Sequence, residues 1–277
     1  MGASKVIVIT GASDGIGAAA ARSLAGSGHQ VVLLGRSPEK TNRMAAELGA
    51  DSYIADFADL SEVRALAATL RAKYPRIDVL ANNAGGVSSA KSRQVTVDGH
   101  ERTFQVNYLA PFLLTNLLLE RLTESRATVI STSSVGHRLV RIDLADLDSE
   151  KRYKGVDAYN NAKLAQVLFT RELDRRYRSQ GLASAALSPG LAVLTNFAQQ
   201  PGDTNGRIAQ SALLRRMASR PETGADTLVY LAQGTPGADF PSGEYFAKRK
   251  VVRASKQTYD AALAAQLWDR SVAMTKL

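Results

Sequence analysis

Short apolar runs alternate with longer amphipathic stretches along almost the whole chain. Seven runs rich in valine, isoleucine, leucine and alanine are typical of strands buried in a parallel sheet: 5–10, 30–36, 51–56, 76–86, 127–137, 182–190 and 243–252. Between them, apolar residues recur at helical spacing, which predicts helices over an alanine-rich stretch ending at Gly26 or Gly28 and over 38–48, 59–73, 99–122, 157–180, 221–234 and 258–274. The alternation predicts one doubly wound α/β domain over 1–277, with about seven parallel strands flanked by helices.

Two segments depart from this alternation. Residues 137–156 lack a clear period and are predicted to be a loop insertion. Residues 191–222 are polar, carry one helical run and are predicted to form a lid over a site. The acids Asp143, Asp146 and Asp148 could indicate calcium, but no glycine-bearing loop of the EF-hand type is present. A solvated face is the prediction for them.

Composition excludes several kinds of chemistry. With 45% hydrophobic and 22% charged residues, the 277-residue chain is an ordinary soluble protein. It has no cysteine, which excludes disulfides, thiolate catalysis and zinc–thiolate sites. His29, His100 and His137 lack ligand spacing, so no metal site is predicted. No apolar run approaches the roughly 18 residues of a membrane span, and the N-terminus enters a strand pattern at once. We predict a cytoplasmic protein.

The net charge of +9 leaves two interpretations open. It could indicate nucleic acid or an anionic membrane, or a solvated basic surface with an anionic small ligand. The densest basic cluster, residues 248–256, lacks the aromatic residues on which bases stack. We therefore favour the small ligand and expect no nucleic-acid partner.

The first strand breaks into GASDGIG before an alanine-rich helix begins. Strand, glycine-rich turn and helix form the geometry that binds phosphate, because backbone N–H groups and the helix N-terminus meet the anion. The spacing, Gly11-x-x-x-Gly15-x-Gly17, differs from the general G-x-G-x-x-G pattern. Taken alone, such a turn could also serve only to connect a strand to a helix, without binding a ligand.

The second strand ends in Arg36 and Ser37, without an acidic residue. In a dinucleotide-binding fold this position meets the adenosine ribose, where an acid favours a free 2′-hydroxyl and an arginine a 2′-phosphate. The residues favour NADP over NAD, and an exposed loop arginine is the alternative.

Polar and small residues follow later strand ends. NNAG (82–85) ends the fourth strand, and Ser133 and Ser134 end the fifth, where an open α/β sheet has its ligand crevice. Asn107 lies within an apolar helical stretch, so it is either a hydrogen-bonding post or a site residue.

Tyr159 and Lys163 are four residues apart on a predicted helix and would project from one face. A nearby ammonium favours the phenolate, so we expect Lys163 to lower the pKa of Tyr159 from its usual value of about 10. An accidental pair on an amphipathic helix is the alternative.

Taken in order, these motifs resemble those of the short-chain dehydrogenase/reductase family, and the resemblance covers nearly the whole chain. TGASDGIG resembles its Thr-Gly-x-x-x-Gly-x-Gly turn, NNAG its fourth-strand motif, and SPG (188–190) the turn behind the nicotinamide. Asn107, Ser134, Tyr159 and Lys163 match its catalytic tetrad. The long spacing between Ser134 and Tyr159, beginning with His137 and Arg138, resembles the retinol-dehydrogenase-like branch.

The resemblance implies a Rossmann-type domain and reversible hydride transfer between NADP(H) and a lipophilic ketone, aldehyde or secondary alcohol. Tyr159 would act as the general acid or base, and Ser134 would hold the same substrate oxygen. Lys163 would lower the pKa of Tyr159 and bind the nicotinamide ribose. Asn107 would hold a water that links Lys163 to solvent.

The resemblance also implies a set of cofactor-binding residues. Asp56 would hold the adenine amino group, and Thr195 would reach the carboxamide or phosphate although PGLAVLT has one residue more than the family's motif. The full implied set is Gly11, Ser13, Asp14, Gly15, Ile16, Gly17, Arg36, Ser37, Asp56, Phe57, Asn83, Ala84, Gly85, Tyr159, Lys163, Pro189, Gly190 and Thr195.

The substrate and the assembly are less defined. Apolar lid residues imply a lipophilic substrate such as a retinoid, a steroid or an aromatic polyketide: Leu191, Val193, Leu194 and Phe197. Family members often form dimers or tetramers through the helices predicted at 99–122 and 157–180. An NADP-binding sensor without catalysis is the rival function, but such proteins usually lack the tyrosine or the lysine.

Overall fold

The computed structural model describes residues 4–87, 90, 92–190 and 220–277. Its centre is one eight-stranded sheet of order β3-β2-β1-β4-β5-β6-β7-β8. Strands β1 to β7 are parallel and β8 is antiparallel to β7, so the predicted doubly wound α/β fold is confirmed. The strands are β1 (Val6–Thr10), β2 (Gln30–Gly35), β3 (Asp51–Ile54), β4 (Val79–Asn82), β5 (Thr128–Thr132), β6 (Ala183–Ser188), β7 (Glu244–Ala247) and β8 (Lys250–Val251).

Helices cover both faces of the sheet, which explains why its strands are continuous apolar runs. The described helices are α1 (Gly15–Gly26), α2 (Pro38–Leu48), α3 (Leu60–Lys73), α4 (Arg102–Phe104), α5 (Ala110–Leu117), α6 (Leu119–Glu124), α7 (Gly155–Tyr177), α8 (Pro221–Gln233) and α9 (Ala261–Thr275). Helices α1, α2 and α8 pack on one face, and α3, α5, α7 and α9 pack on the other. In this described part of the chain, no helix has both the length and the apolar content to cross a bilayer.

Local capping explains the accurate helix boundaries. The Ser37 side chain caps the first turn of α2, and Gly49 follows the last residue of α2 with a φ of 60°. Asp59 caps the first turn of α3. Serine and aspartate satisfy the free N–H groups of a first turn, and glycine adopts the left-handed conformation after a last one.

The prediction of one strand over 243–252 is wrong, because β7 and β8 form a tight hairpin there. Its two turn residues, Lys248 and Arg249, have φ values of 51° and 61°. Such turns usually carry asparagine and glycine, which adopt positive φ readily. Lysine and arginine give no such signal, and Arg249 is instead held by its ion pair with Asp226.

The single helix predicted over 99–122 is also interrupted. Residues Gln105–Leu109 form a π turn between α4 and α5, and the Ala110 N–H donates to the carbonyl of Gln105, five residues earlier. Pro111 follows and has no N–H, so the Asn107 carbonyl four residues before it lacks its α-helical donor. Isolated π turns often mark functional sites.

Helix α9 packs across α5 and α7. Trp268 lies 5.1 Å from the Phe112 ring and 5.6 Å from the Phe169 ring, centroid to centroid. The Tyr108 and Ser271 hydroxyls are hydrogen-bonded at 2.8 Å. The chain's own helix thus covers part of the surface that the resemblance assigns to subunit contacts, and oligomerisation stays a prediction.

The 137–156 segment is anchored to the rest of the chain by a half-buried ion pair. His100 Nδ1 lies 3.0 Å from the Asp148 carboxylate, and His100 Nε2 lies 3.0 Å from the Met274 carbonyl. Both partners are acceptors, so the charged imidazole, which has an N–H on each ring nitrogen, satisfies both contacts at once. The prediction of a solvated face is therefore wrong for Asp148.

This pair makes stability depend on pH. The hydrogen bond with Asp148 raises the pKa of His100. Burial raises the pKa of the Asp148 carboxyl, but the bonds from His100 and the Glu101 N–H outweigh it and leave that pKa below its usual value. A raised histidine pKa gives stabilisation that is complete below about 6.5 and is lost as pH rises through the folded-state pKa.

We expect His100→Gln to lower the free energy of unfolding by about 1–2 kcal/mol near pH 6, and less at higher pH. Urea unfolding of both proteins between about pH 6 and 9 checks this. Burial lowers the pKa of His137, and that opposite contribution cancels because both proteins contain it. A difference that stays constant with pH would contradict a charged His100.

Candidate active site

A cleft of about 1090 Å³ lies at the carboxyl edge of the sheet. Strands β1, β2, β4, β5 and β6 end there, as expected for the ligand crevice of this fold. Among the predicted site residues, Gly17 does not line the cleft, and Thr195 lies outside the described residues together with most of the proposed lid. The predicted residues that do line it are Gly11, Ser13, Asp14, Gly15, Ile16, Arg36, Ser37, Asp56, Phe57, Asn83, Ala84, Gly85, Asn107, Ser134, Tyr159, Lys163, Pro189 and Gly190.

Two glycines of the turn have different roles: Gly15 leaves open space, and Gly17 allows close packing. Gly11 and Gly15 have φ values of 66° and 54°, and a Cβ at Gly15 would meet nothing within 4 Å. A Cβ at Gly17 would lie 2.1 Å from the Gly11 carbonyl oxygen. Gly17 therefore lets α1 pack against the turn, while Gly15 leaves room at the helix N-terminus for an anionic ligand.

Basic residues surround the end of β2. Arg36, Ser37 and Lys40 line the cleft, and Lys40 Nζ lies 3.0 Å from the Asp14 carboxylate. The Lys40 hydrogen bond is the main reason that the pKa of Asp14 is lowered. The sequence did not single out Lys40, although its position in the first turn of α2 is a signal that could have done so.

Asp56 and the NNAG turn line other parts of the cleft. Asp56 lies two residues past the end of β3, not inside the strand, and accepts a hydrogen bond from the Ala58 N–H at 3.0 Å. Thr10 Oγ1 accepts from the N–H groups of Asn83 and Ala84 at 2.9 and 2.8 Å. These bonds fix the turn after β4 against the end of β1.

The two serines after β5 have different surroundings. Ser133 is buried, and its hydroxyl donates to the Lys163 carbonyl at 2.7 Å. Ser134 lines the cleft together with Tyr159, and its Oγ accepts a hydrogen bond from the Gly136 N–H at 3.2 Å. Ser134 is therefore the serine whose hydroxyl faces the cleft beside Tyr159.

His137 anchors the segment that carries Ser134. Its Nδ1–H donates to the Ser134 carbonyl at 2.6 Å, and its Nε2 accepts from the Ser255 N–H at 3.1 Å. The imidazole is fully buried, and burial lowers its pKa, so it is held neutral. From the sequence, His137 was predicted to begin an insertion and to bind no metal, and this anchoring role was not predicted.

Tyr159 is only 6% exposed. Burial raises the pKa of its phenol to about 12, and the nearby Ser134 hydroxyl opposes that rise. The prediction that Lys163 brings this pKa down is therefore wrong for the chain by itself. The phenol keeps its proton at neutral pH, which suits a proton donor.

Lys163 lies behind Tyr159 and is also buried. Its Nζ is 5.4 Å from the centroid of the Tyr159 ring and donates to the Thr132 carbonyl at 2.9 Å. Burial lowers the pKa of the ammonium to about 7. A partly charged lysine has less influence on a neighbouring phenol than a permanent cation, which explains the difference from the expected pKa.

The Asn107 side chain both fixes neighbouring backbone by hydrogen bonds and lines the cleft. Its Nδ2 donates to the carbonyls of Gly86 and Thr103 at 2.9 and 2.8 Å, and its Oδ1 accepts from the Gly86 N–H at 3.0 Å. Its main-chain carbonyl accepts from Gln166 Nε2 at 2.7 Å. The sequence did not indicate this contact between Gln166 and Asn107.

Two relatives match almost the entire chain. A Streptomyces sp. (strain C5) protein that bears the name of a daunorubicin C-13 ketoreductase, DnrU, is 41% identical, with 97% of this chain and 92% of that protein covered. Human retinol dehydrogenase 11 is 35% identical, with 96% of this chain and 84% of that protein covered.

Solved structures agree with these relatives. A protein from Mycobacterium paratuberculosis superposes with a TM-score of 0.78 at 34% identity, covering 99% of this chain and 94% of that chain. Pseudomonas aeruginosa RhlG, solved with NADP at its active site, has a TM-score of 0.67 at 26% identity, covering 88% of this chain and 94% of that chain. The family model described as short chain dehydrogenase matches residues 5–206. The chain belongs to this family of oxidoreductases.

Proposed function

We propose that the protein is an NADP(H)-dependent oxidoreductase that reversibly reduces a lipophilic ketone or aldehyde. The observation that carries this proposal is that Ser134 and Tyr159 line the same cleft, with the Lys163 ammonium 5.4 Å from the centroid of the Tyr159 ring. The nicotinamide, when bound, supplies the hydride in reduction and accepts it in oxidation.

The side chains provide the proton and hold the substrate oxygen. Tyr159 donates its proton to the carbonyl oxygen in reduction, and burial favours this role because it keeps the phenol protonated. Ser134 donates a hydrogen bond to the same oxygen and fixes it for reaction. Lys163 has an N–H left over after its bond to Thr132 for a ribose hydroxyl.

The described cleft fits a dinucleotide with a 2′-phosphate. Gly15 leaves open space at the N-terminus of α1 for the pyrophosphate, and Arg36, Ser37 and Lys40 offer donors to a phosphate at the end of β2. Asp56 would bind the adenine amino group, and Pro189 with Gly190 would back the nicotinamide. The NADP in the RhlG structure supports the same preference.

The names of the relatives support a lipophilic substrate. One is named for a ketone of daunorubicin and the other for retinol. We extend from these names only the shared chemistry, a carbonyl or alcohol on a large apolar compound. The predicted contribution of Thr195 and the lid belongs to this proposal.

The proposal is tested by following NADPH consumption with daunorubicin, retinal, a steroid ketone and, as a control, a small water-soluble aldehyde. We expect turnover of at least one lipophilic carbonyl, and slower turnover with NADH. The protein would instead be a sensor without catalysis if it bound NADPH and consumed none of it with any of the four compounds.

A further inference from the structure

Gln166 occupies a position behind the reacting groups that the proposed mechanism does not use. It lies on α7, three residues after Lys163, and is 1% exposed. A glutamine so deeply buried must have its amide satisfied, because a buried donor or acceptor without a partner is destabilising. Its two amide atoms contact two parts of the candidate site.

The first contact gives a hydrogen-bond donor to a carbonyl in the π turn, which packs against α7. The π turn and Pro111 leave the Asn107 carbonyl without an α-helical donor. Gln166 Nε2 donates to this carbonyl at 2.7 Å. Reversing the amide would set an oxygen against that carbonyl and an NH₂ group against an ammonium, so the hydrogen-bond network assigns the orientation.

The second contact follows from the first. With Nε2 committed to Asn107, Gln166 Oε1 faces Lys163 and lies 3.4 Å from its Nζ. Thr132 provides the other acceptor, at 2.9 Å. Tyr159 is the titratable side chain beside the ammonium, and no carboxylate of the described residues forms an ion pair with it. Neutral oxygens must therefore stabilise its charge.

We propose that Gln166 is a positioning residue that holds the Lys163 ammonium charged and in place, coupling it to the Asn107 carbonyl. The inference rests on the proposed function, in which Lys163 assists Tyr159. The resemblance implied that a water held by Asn107 contacts Lys163. In this proposal the Gln166 amide on α7 makes the connection between Asn107 and Lys163 instead. We expect Gln166 to act through the charge of Lys163, so its loss should change the pKa of Lys163, whereas the loss of a purely packing residue should not.

The test measures the titration of Lys163 directly. In ¹⁵N-lysine-labelled protein without cofactor, the Lys163 resonance is identified by its loss in Lys163→Met. Gln166→Met keeps a similar volume but removes the acceptor, so we expect the Lys163 midpoint to fall by about one pH unit. Gln166→Glu keeps an oxygen toward the ammonium, so the midpoint should stay at or above that of the unmodified protein.

The same variants are compared in NADPH-dependent reduction. We expect kcat of Gln166→Met to fall about tenfold and its alkaline limb to move to lower pH, with Gln166→Glu less affected. Thr170→Val, one turn further along α7 and equally buried, removes a hydrogen bond to the Gln166 main-chain carbonyl and leaves the Gln166 amide in place. It is the control for a lost polar contact and should leave the midpoint and the limb unchanged.

Two results would overturn the inference: an unchanged Lys163 midpoint in Gln166→Met, or equal falls in both Gln166 variants, since equal falls indicate general loosening. Failure of the proposed function is distinguishable. Turnover retained in Tyr159→Phe would remove the catalytic role assigned to that phenol, whereas the Lys163 titration in the protein without cofactor tests Gln166 alone.

Discussion

Tyr159→Phe is expected to reduce kcat for carbonyl reduction by about 10³-fold, because it removes only the proposed proton donor. Phenylalanine keeps the buried ring in place, so the fold and the cleft should be preserved. Ser134 would still hold the carbonyl oxygen, which leaves a small residual rate. Initial rates with NADPH at saturating substrate, together with the thermal midpoint, measure the effect.

The control for this variant is Tyr177→Phe at the far end of the same helix, where the ring contacts Trp268. We expect it to retain full activity. NADPH affinity, followed by fluorescence, should change little in Tyr159→Phe. A kcat within a few-fold of the unmodified protein would refute the assignment of Tyr159 as the acid.

Arg36→Asp is expected to change the preference for NADPH over NADH by about 10²-fold. The change removes charge-assisted hydrogen bonds to a 2′-phosphate, worth about 1.5–3 kcal/mol, and adds repulsion. An aspartate at this strand end can also accept from a free 2′-hydroxyl. The ratio of kcat/KM for the two cofactors, at constant ionic strength, measures the effect.

Arg43→Asp provides a control of equal charge change on α2, because Arg43 is exposed, pairs weakly with Glu39 and does not line the cleft. We expect its cofactor ratio to change by no more than a few-fold. An equal change in both variants would indicate a long-range field, and an unchanged ratio in Arg36→Asp would exclude a phosphate contact at that residue.

Features that depend on neighbours in the sequence were predictable. Tyr159 and Lys163 are four residues apart, and helical geometry alone brings them to one face. Gly11 and Gly15 follow directly after a strand, and Ser37 and Asp59 precede helices, so local chemistry defines the turn and the caps. The carboxyl ends of parallel strands then collect these residues at one edge.

Features that depend on distant contacts or on burial were not predictable. Gln166 meets Asn107 only because α7 packs against the π turn, and His100 meets Asp148 across the chain. The predicted direction of the Tyr159 pKa shift was wrong because burial of the phenol, which the sequence does not reveal, raises that pKa. The hairpin at Lys248 was missed because its turn is held by Asp226, not by the usual turn residues.

The position of α9 has a consequence for how the protein is made. Trp268 seals the rings of Phe112 and Phe169, yet it is synthesised about 100 residues after Phe169. On the ribosome, the helices that carry Phe112 and Phe169 therefore have an uncovered aromatic surface until α9 emerges. Such a surface is aggregation-prone, so translation that stalls before α9 should yield chains that require chaperones.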